Sequence, residues 1–106
     1  MALQSFNGSI LTDGTEQDLF DLTALQHYAT WIFLDELLTG DSIQVRVFIQ
    51  DPADASAMKK YIDVLVSGAQ SNPAFYIPWT PTEQYRVSVQ RILGAEHTIT
   101  WCRKVQ

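Results

Sequence analysis

The sequence predicts an all-β fold, a sandwich of two antiparallel sheets made of about eight short strands with jelly-roll or immunoglobulin-like topology. Apolar residues alternate in short runs, turn residues close each run, and the 106 residues, 46% of them hydrophobic, suffice for one packed core. The clearest run is 43–50, where Ile43, Val45 and Val47 fall on one face and Arg46 on the other. We therefore expect a single domain over residues 1–106.

Three strands are predicted in the first third of the chain. Segments 6–12 and 17–23 flank Asp13 and Gly14, a dipeptide typical of hairpin turns. Segment 27–34 is apolar on both faces, as in a central strand or one whose outer face is covered. The stretch 35–38 is long enough for a single helical turn.

The middle of the chain alternates loops and strands. After 43–50, segment 51–56 is a predicted loop because Pro52 cannot donate to a ladder. Segment 58–67 permits an amphipathic helix or a strand. The alternation of Ile62, Val64 and Val66 favours the strand.

The last third of the chain predicts three more strands. Segment 74–81 contains Pro78 and Pro81, which suit an edge strand and discourage unwanted pairing. Segments 83–92 and 97–105 are predicted to form a hairpin, with Tyr85, Val87, Val89, Ile99 and Trp101 directed inward.

The charge distribution limits the kinds of partner. A net charge of −5 argues against nucleic acid and against an anionic membrane surface, since both attract clustered Lys and Arg. Residues 1–54 carry nine acidic side chains and one basic, whereas 55–106 carry six basic and three acidic. This asymmetry predicts either cross-strand ion pairs between the two halves or a two-ended molecule that meets copies of itself or a scaffold.

No motif for catalysis or for a cofactor interrupts the strands. His27 and His97 are isolated, Cys102 is the only cysteine, and a nucleophile elbow is absent. Asp13, Asp41 and their turn neighbours could offer oxygens to calcium, but the twelve-residue loop signature is missing. We expect a non-enzymatic protein without cofactor or metal.

The aromatic residues are too numerous for one small core. Exposed aromatic surface marks partner sites, and Phe48, Phe75, Tyr76 and Trp79 are the predicted apolar anchors. Charged residues would set the register and orientation of the docked partner; those predicted are Asp18, Asp21, Lys59, Lys60 and Arg91.

Two stretches resemble a known group of proteins. The strand ending in Leu34 and Asp35, followed by Gly40, Asp41 and the alternating strand with central Arg46, is similar to small β-sandwich structural proteins of tailed phages and related viruses. Segment 67–78 fits the same pattern. The resemblance implies a virion component, a head decoration or tail accessory protein that binds capsid or tail proteins, copies of itself, or both.

Two expectations complete this interpretation. The chain has neither a recognisable signal peptide nor an apolar stretch of about 18 residues, so we expect synthesis in the host cytoplasm and incorporation into the virion. The alternative function is a carbohydrate-binding module whose aromatic platforms would be Trp31, Trp79 and Trp101.

Overall fold

The computed structural model describes residues 3–51 and 54–106. Its eight strands are β1 Gln4–Leu11, β2 Gln17–Leu22, β3 Gln26–Phe33, β4 Ser42–Asp51, β5 Asp54–Ser67, β6 Ala74–Thr82, β7 Tyr85–Leu93 and β8 Thr98–Val105. The described residues form no helix, and 35–38 belongs to two consecutive turns closed by Leu37 N–H to Leu34 O at 3.2 Å and Asp41 N–H to Leu38 O at 3.0 Å. The predicted all-β class is confirmed.

The strands form two four-stranded antiparallel sheets. The first sheet has the order β1-β8-β3-β6 and the second sheet the order β2-β7-β4-β5. The strands pair as β1 with β8, β2 with β7, β3 with β6 and β4 with β5, so the chain is one long antiparallel ribbon. Wrapping that ribbon brings β3 beside β8 and β4 beside β7. Of the two predicted topologies, this is the jelly roll.

The two predicted hairpins are wrong. Strands β1 and β2, on either side of Asp13 and Gly14, lie in different sheets, and so do β7 and β8. Turn residues mark where a chain reverses, but not whether the returning strand pairs with its predecessor or crosses to the facing sheet. The sequential pair within one sheet is β4 and β5, where the predicted loop 51–56 is shorter because β5 begins at Asp54; residues 52 and 53 lie outside the described residues.

Three predictions about individual strands are confirmed. Segment 58–67 is a strand, the C-terminal part of β5. Strand β6, which contains Pro78 and Pro81, lies at an edge of the first sheet. Segment 27–34, which is apolar on both faces, corresponds to β3. This strand is central because β8 pairs with one of its sides and β6 with the other.

The inward faces of the two sheets supply the core. Its fully buried side chains include Tyr28, Ile32, Ile77 and Ile99 from the first sheet and Ile43, Val45, Val47, Tyr85, Val87 and Val89 from the second. Tyr28 and Tyr85 stack across the interior with ring centroids 4.7 Å apart and planes 3° apart. The Tyr85 hydroxyl lies 2.9 Å from Thr30 Oγ1, so a buried hydrogen bond also joins the sheets.

A glycine makes room for the largest inward side chain of β8. Gly8 of β1 is the register partner of Trp101, and a Cβ at position 8 would lie 2.7 Å from Trp101 Cζ2. The indole packs against the core, with its ring centroid 5.1 Å from that of Phe20. Trp101 therefore faces inward, as predicted.

Candidate interaction surface

The two sheets differ in charge. The four strands of the first sheet, all of which the structure describes, contain no Asp or Glu, and their basic residues are Arg103 and Lys104. Arg103 points inward, with its guanidinium carbon 4.4 Å from the Phe6 ring centroid and 4.8 Å from that of Phe20. Lys104 is thus the one outward Lys or Arg side chain in the four strands of this sheet, and His27 also lies on the outer face.

Aromatic side chains occupy the outer face of the first sheet. Because Tyr28, Thr30 and Ile32 are buried, alternation directs Trp31 and Phe33 outward. Trp31 is the register partner of Tyr76 on β6, and their ring centroids lie 4.6 Å apart. We use the term aromatic face for the outward aromatic side chains of β3 and β6, namely Trp31, Phe33, Tyr76 and Trp79.

A bulge in β6 extends the aromatic face. The register between β3 and β6 shifts between Tyr28 and Thr30, leaving two residues of β6 opposite one of β3. Ile77 and Thr80, which flank the bulge, are buried, so Pro78 and Trp79 both point away from the core. Trp79 is 42% exposed and Tyr76 43%, so both rings are open to solvent.

Small polar residues surround the aromatic face. The row that contains Trp31 and Tyr76 continues through Cys102 on β8 to Asn7 on β1. The neighbouring row runs from Phe33 through Thr100 to Ser9, and Ser5 Oγ accepts a hydrogen bond from Lys104 Nζ at 2.8 Å. Short side chains leave the aromatic rings as the highest features of this face.

The second sheet presents a charged outer face instead. Glu16 bridges two strands, at 2.7 Å from Arg46 and 2.6 Å from Arg86. Arg86 Nε donates to Asp18 at 2.7 Å, which raises the pKa of the guanidinium. The pairs of Arg86 with Glu16 and Asp18 are ion pairs between the acidic and the basic half of the chain. Their charges are already satisfied within the molecule.

The predicted apolar anchors do not share one surface. Tyr76 and Trp79 lie together on the aromatic face. Phe48 lies on the outer face of the second sheet, half-buried beneath the Arg86 guanidinium, whose carbon is 4.6 Å from the ring centroid. Phe75 packs against the core and lines a groove between the sheets. The structure therefore brings two of the four anchors into one patch.

The predicted charged residues all belong to the second sheet. Asp18 and Asp21 are exposed on β2, and Lys59 and Lys60 are exposed on β5. Lys60 Nζ lies 3.3 Å from Asp63, and Arg91 on β7 lies 3.7 Å from Glu96. None of the five lies on the aromatic face.

His97 belongs to a partly buried hydrogen-bonded cluster between two loops, here called the clasp. Its Nε2 is 2.5 Å from Asp41 Oδ2, and its Nδ1 is 4.0 Å from Glu36. The Asp41 carboxylate also accepts the backbone N–H groups of Leu38 at 2.9 Å and Ala95 at 3.1 Å. The Leu38 N–H lowers the pKa of Asp41 most, and the Ala95 and His97 contacts add to this against the opposing effect of burial. The clasp ties the β3–β4 and β7–β8 connections together.

The described polar residues form no metal cluster, and the groove beside β5 and β6 has no charged lining residue. Among the described side chains of residues 3–50 and 58–106, no three His, Cys, Asp or Glu come close enough to hold a metal ion. A groove of about 350 Å³ opens between β5 and β6, lined by Leu34, Val64, Val66 and Phe75 with Gln70 and Asn72 at its polar side. None of its lining residues is titratable.

Sequence reasoning misses two members of the aromatic face as protein anchors. It predicts Trp31 only as a sugar platform and assigns no role to Phe33. The alternation of buried Tyr28, Thr30 and Ile32 is the signal that places both outward. Trp101, the third predicted platform, faces inward, which leaves Trp31 and Trp79 of the original set of three.

The fold defines the chain as an all-β sandwich of two four-stranded antiparallel sheets. Compared with protein-family models, curated proteins and solved structures, the chain matches none. The described part of the chain holds no helix with the length and hydrophobicity needed to cross a membrane.

Proposed function

We propose that this chain is a non-enzymatic structural protein of a virus particle, which docks on a capsid or tail lattice through its aromatic face. One observation carries the proposal: exposed Tyr76 and Trp79 lie on a sheet whose described strands have no acidic residue, while Glu16 and Asp18 pair with Arg46 and Arg86 on the other sheet. Aromatic residues with few charges around them are typical of the centre of a protein interface.

The architecture supports this class of function. Jelly rolls serve in viral capsid proteins, where flat sheet faces and loops make contacts that symmetry repeats. Fold alone does not determine function, so the argument depends on the surface. Docking through one face also leaves the remaining surface for copies of the chain.

The gene neighbourhood and a binding assay test the proposal together. We expect the flanking genes to encode capsid or tail proteins, and the purified chain to co-sediment with particles assembled from them. Flanking genes unrelated to particles, or failure to co-sediment with every assembled product, would refute the proposal.

Carbohydrate binding is the second candidate function. It is favoured by the Trp31–Tyr76 pair, because aromatic rings on a sheet face can stack on sugar rings, and jelly rolls also serve in lectins. A glycan array distinguishes the two functions. Glycan binding that is lost in Trp79→Ala, without binding to any particle, would favour the second.

A further inference from the structure

Three of the four edge strands, β2, β5 and β6, differ in their protection against pairing. Strand β6 contains Pro78 and Pro81, and β2 is six residues long with a bulge. Strand β5 has 14 residues without a proline, and β4 is its partner in the second sheet. Its other side presents backbone N–H and C=O groups along the edge, where a further strand can bind.

Apolar side chains accompany this open edge. Val64 is the register partner of fully buried Val45, yet it is 38% exposed because it borders the groove between β5 and β6. Leu65, which follows it, is 52% exposed on the outer face. A strand added to β5 would cover both side chains.

The charges on β5 indicate which strand this is. Lys60 Nζ lies 3.3 Å from Asp63 Oδ2, so both side chains are on the outer face, one on each side of the Tyr61–Ile62 bond. Tyr61 is the extra residue of a bulge, since Ile62 pairs with Val47 and Lys60 with Phe48. Lys60 thus precedes this point and Asp63, which also lies 3.6 Å from Arg46 Nε, follows it. This order of charges is self-complementary under a two-fold rotation.

We propose that two copies of this chain associate through their β5 edges, antiparallel, with Ile62 of one copy opposite Ile62 of the other. This register places Asp63 of each copy beside the Tyr61–Lys60 bulge of the other. Two ion pairs result, each between Asp63 of one copy and Lys60 of the other. Parallel alignment would set Lys60 against Lys60. The second sheets of the two copies become one eight-stranded sheet, and this association does not depend on the proposed function.

Charge exchange with the full chain tests the register. Wild-type protein should dimerise in sedimentation equilibrium. Lys60→Glu alone and Asp63→Lys alone place like charges opposite each other, so each should weaken dimerisation by about tenfold or more. An equimolar mixture of the two variants restores both unlike pairs and should form heterodimers. Thermal unfolding of each variant checks that it is folded. If Asp63→Lys does not fold, Asp63→Asn replaces it, and its mixture with Lys60→Glu restores one of the two unlike pairs.

The outcomes distinguish a second copy of this chain from any other partner that binds the β5 edge. Recovery of dimers in the mixture, but in neither variant alone, supports the β5–β5 register. A wild-type chain that stays monomeric, including one whose edge binds only an unrelated extended peptide, overturns the proposal. Dimers that persist unchanged in both single variants also overturn it, since they must use another surface. Particle binding through the aromatic face is measured separately and can fail or succeed independently.

Discussion

Trp31 on β3 and Tyr76 on β6 lie directly opposite each other, with ring centroids 4.6 Å apart, on the outer side of a sheet that has no acidic residue. Cross-strand aromatic pairs stabilise a sheet by about 0.2–1 kcal/mol. This small gain does not by itself explain why an aromatic ring stays on the surface, where Tyr76 is 43% exposed. We infer that the pair forms a rigid platform for a partner. Neighbouring Trp79 extends it at the β6 bulge.

We expect Gly8→Ala to destabilise the fold. Its Cβ would lie 2.7 Å from Trp101 Cζ2, closer than carbon atoms approach, so the indole or strand β1 must move. Overpacking of this kind costs about 1–3 kcal/mol. Urea unfolding measures the loss in unfolding free energy. Ser9→Ala, the next residue on the exposed face, is the control and should be nearly neutral; equal stability of the two variants would contradict close packing of Gly8 on Trp101.

Tyr85 should make the protein sensitive to alkaline pH. Burial raises the pKa of Tyr85 from 10.0 to about 12, against the opposing hydrogen bond to Thr30. The folded state thus holds the phenol proton more tightly than the unfolded state. The contribution of Tyr85 to the unfolding free energy is fully present below pH 10. It declines as the pH rises toward 12, by up to about 3 kcal/mol.

Tyr85→Phe tests this contribution. At neutral pH it should lose about 1–2 kcal/mol because the buried Thr30 hydroxyl loses its partner. Between pH 10 and 12 its unfolding free energy should decline less than that of the wild type. Tyr61→Phe removes an exposed phenol whose charge raises the Tyr85 pKa less than burial does, so this variant should keep most of the wild-type alkaline decline. An identical decline in Tyr85→Phe would contradict the assignment.

Asp41 should contribute to acid sensitivity. The Leu38 and Ala95 N–H groups and His97 hold the pKa of Asp41 below its value in the unfolded chain, despite burial. As the pH falls, the unfolded state takes up the proton first. The stability that the Asp41 carboxylate contributes above about pH 4 is therefore lost as the pH falls through the pKa of Asp41 in the folded state. Asp41→Asn should be less stable at pH 7 and show a flatter acid decline in denaturant unfolding from pH 6 to 2. Asp35→Asn, an exposed neighbour, should keep the wild-type slope; a steep slope in both variants would count against the clasp.

Local patterns in the sequence predict the strands because burial on one face leaves a period-two pattern. The alternation of Ile62, Val64 and Val66 separates a strand from a helix in β5, and Pro78 places β6 at an edge. Strand partners are another matter. In a jelly roll β1 pairs with β8 across almost the entire chain, and no local feature near Asp13 or Gly94 distinguishes a hairpin from a crossing between sheets.

The candidate surface was predictable only in part for a related reason. Tyr76 and Trp79 follow from the prolines around them, which indicate an exposed edge. Phe75 points inward because it lies two residues before buried Ile77, on the same face of β6. The side chain that covers Phe48 is Arg86, which is distant in sequence. The segregation of charge between sheets becomes visible only after the strand order is known.

Binding to assembled particles by an aromatic-face variant tests the central claim most directly. The double variant Tyr76→Ala/Trp79→Ala removes two exposed rings, and Ile92→Ala/Leu93→Ala removes apolar side chains of comparable exposure, 44% and 64%, at the end of β7. In co-sedimentation with particles built from the neighbouring capsid or tail proteins, we predict that the first variant loses binding by about 30-fold or more, as expected for interface anchors. The second should bind like the wild type. Undiminished binding by a folded Tyr76→Ala/Trp79→Ala protein would contradict the account.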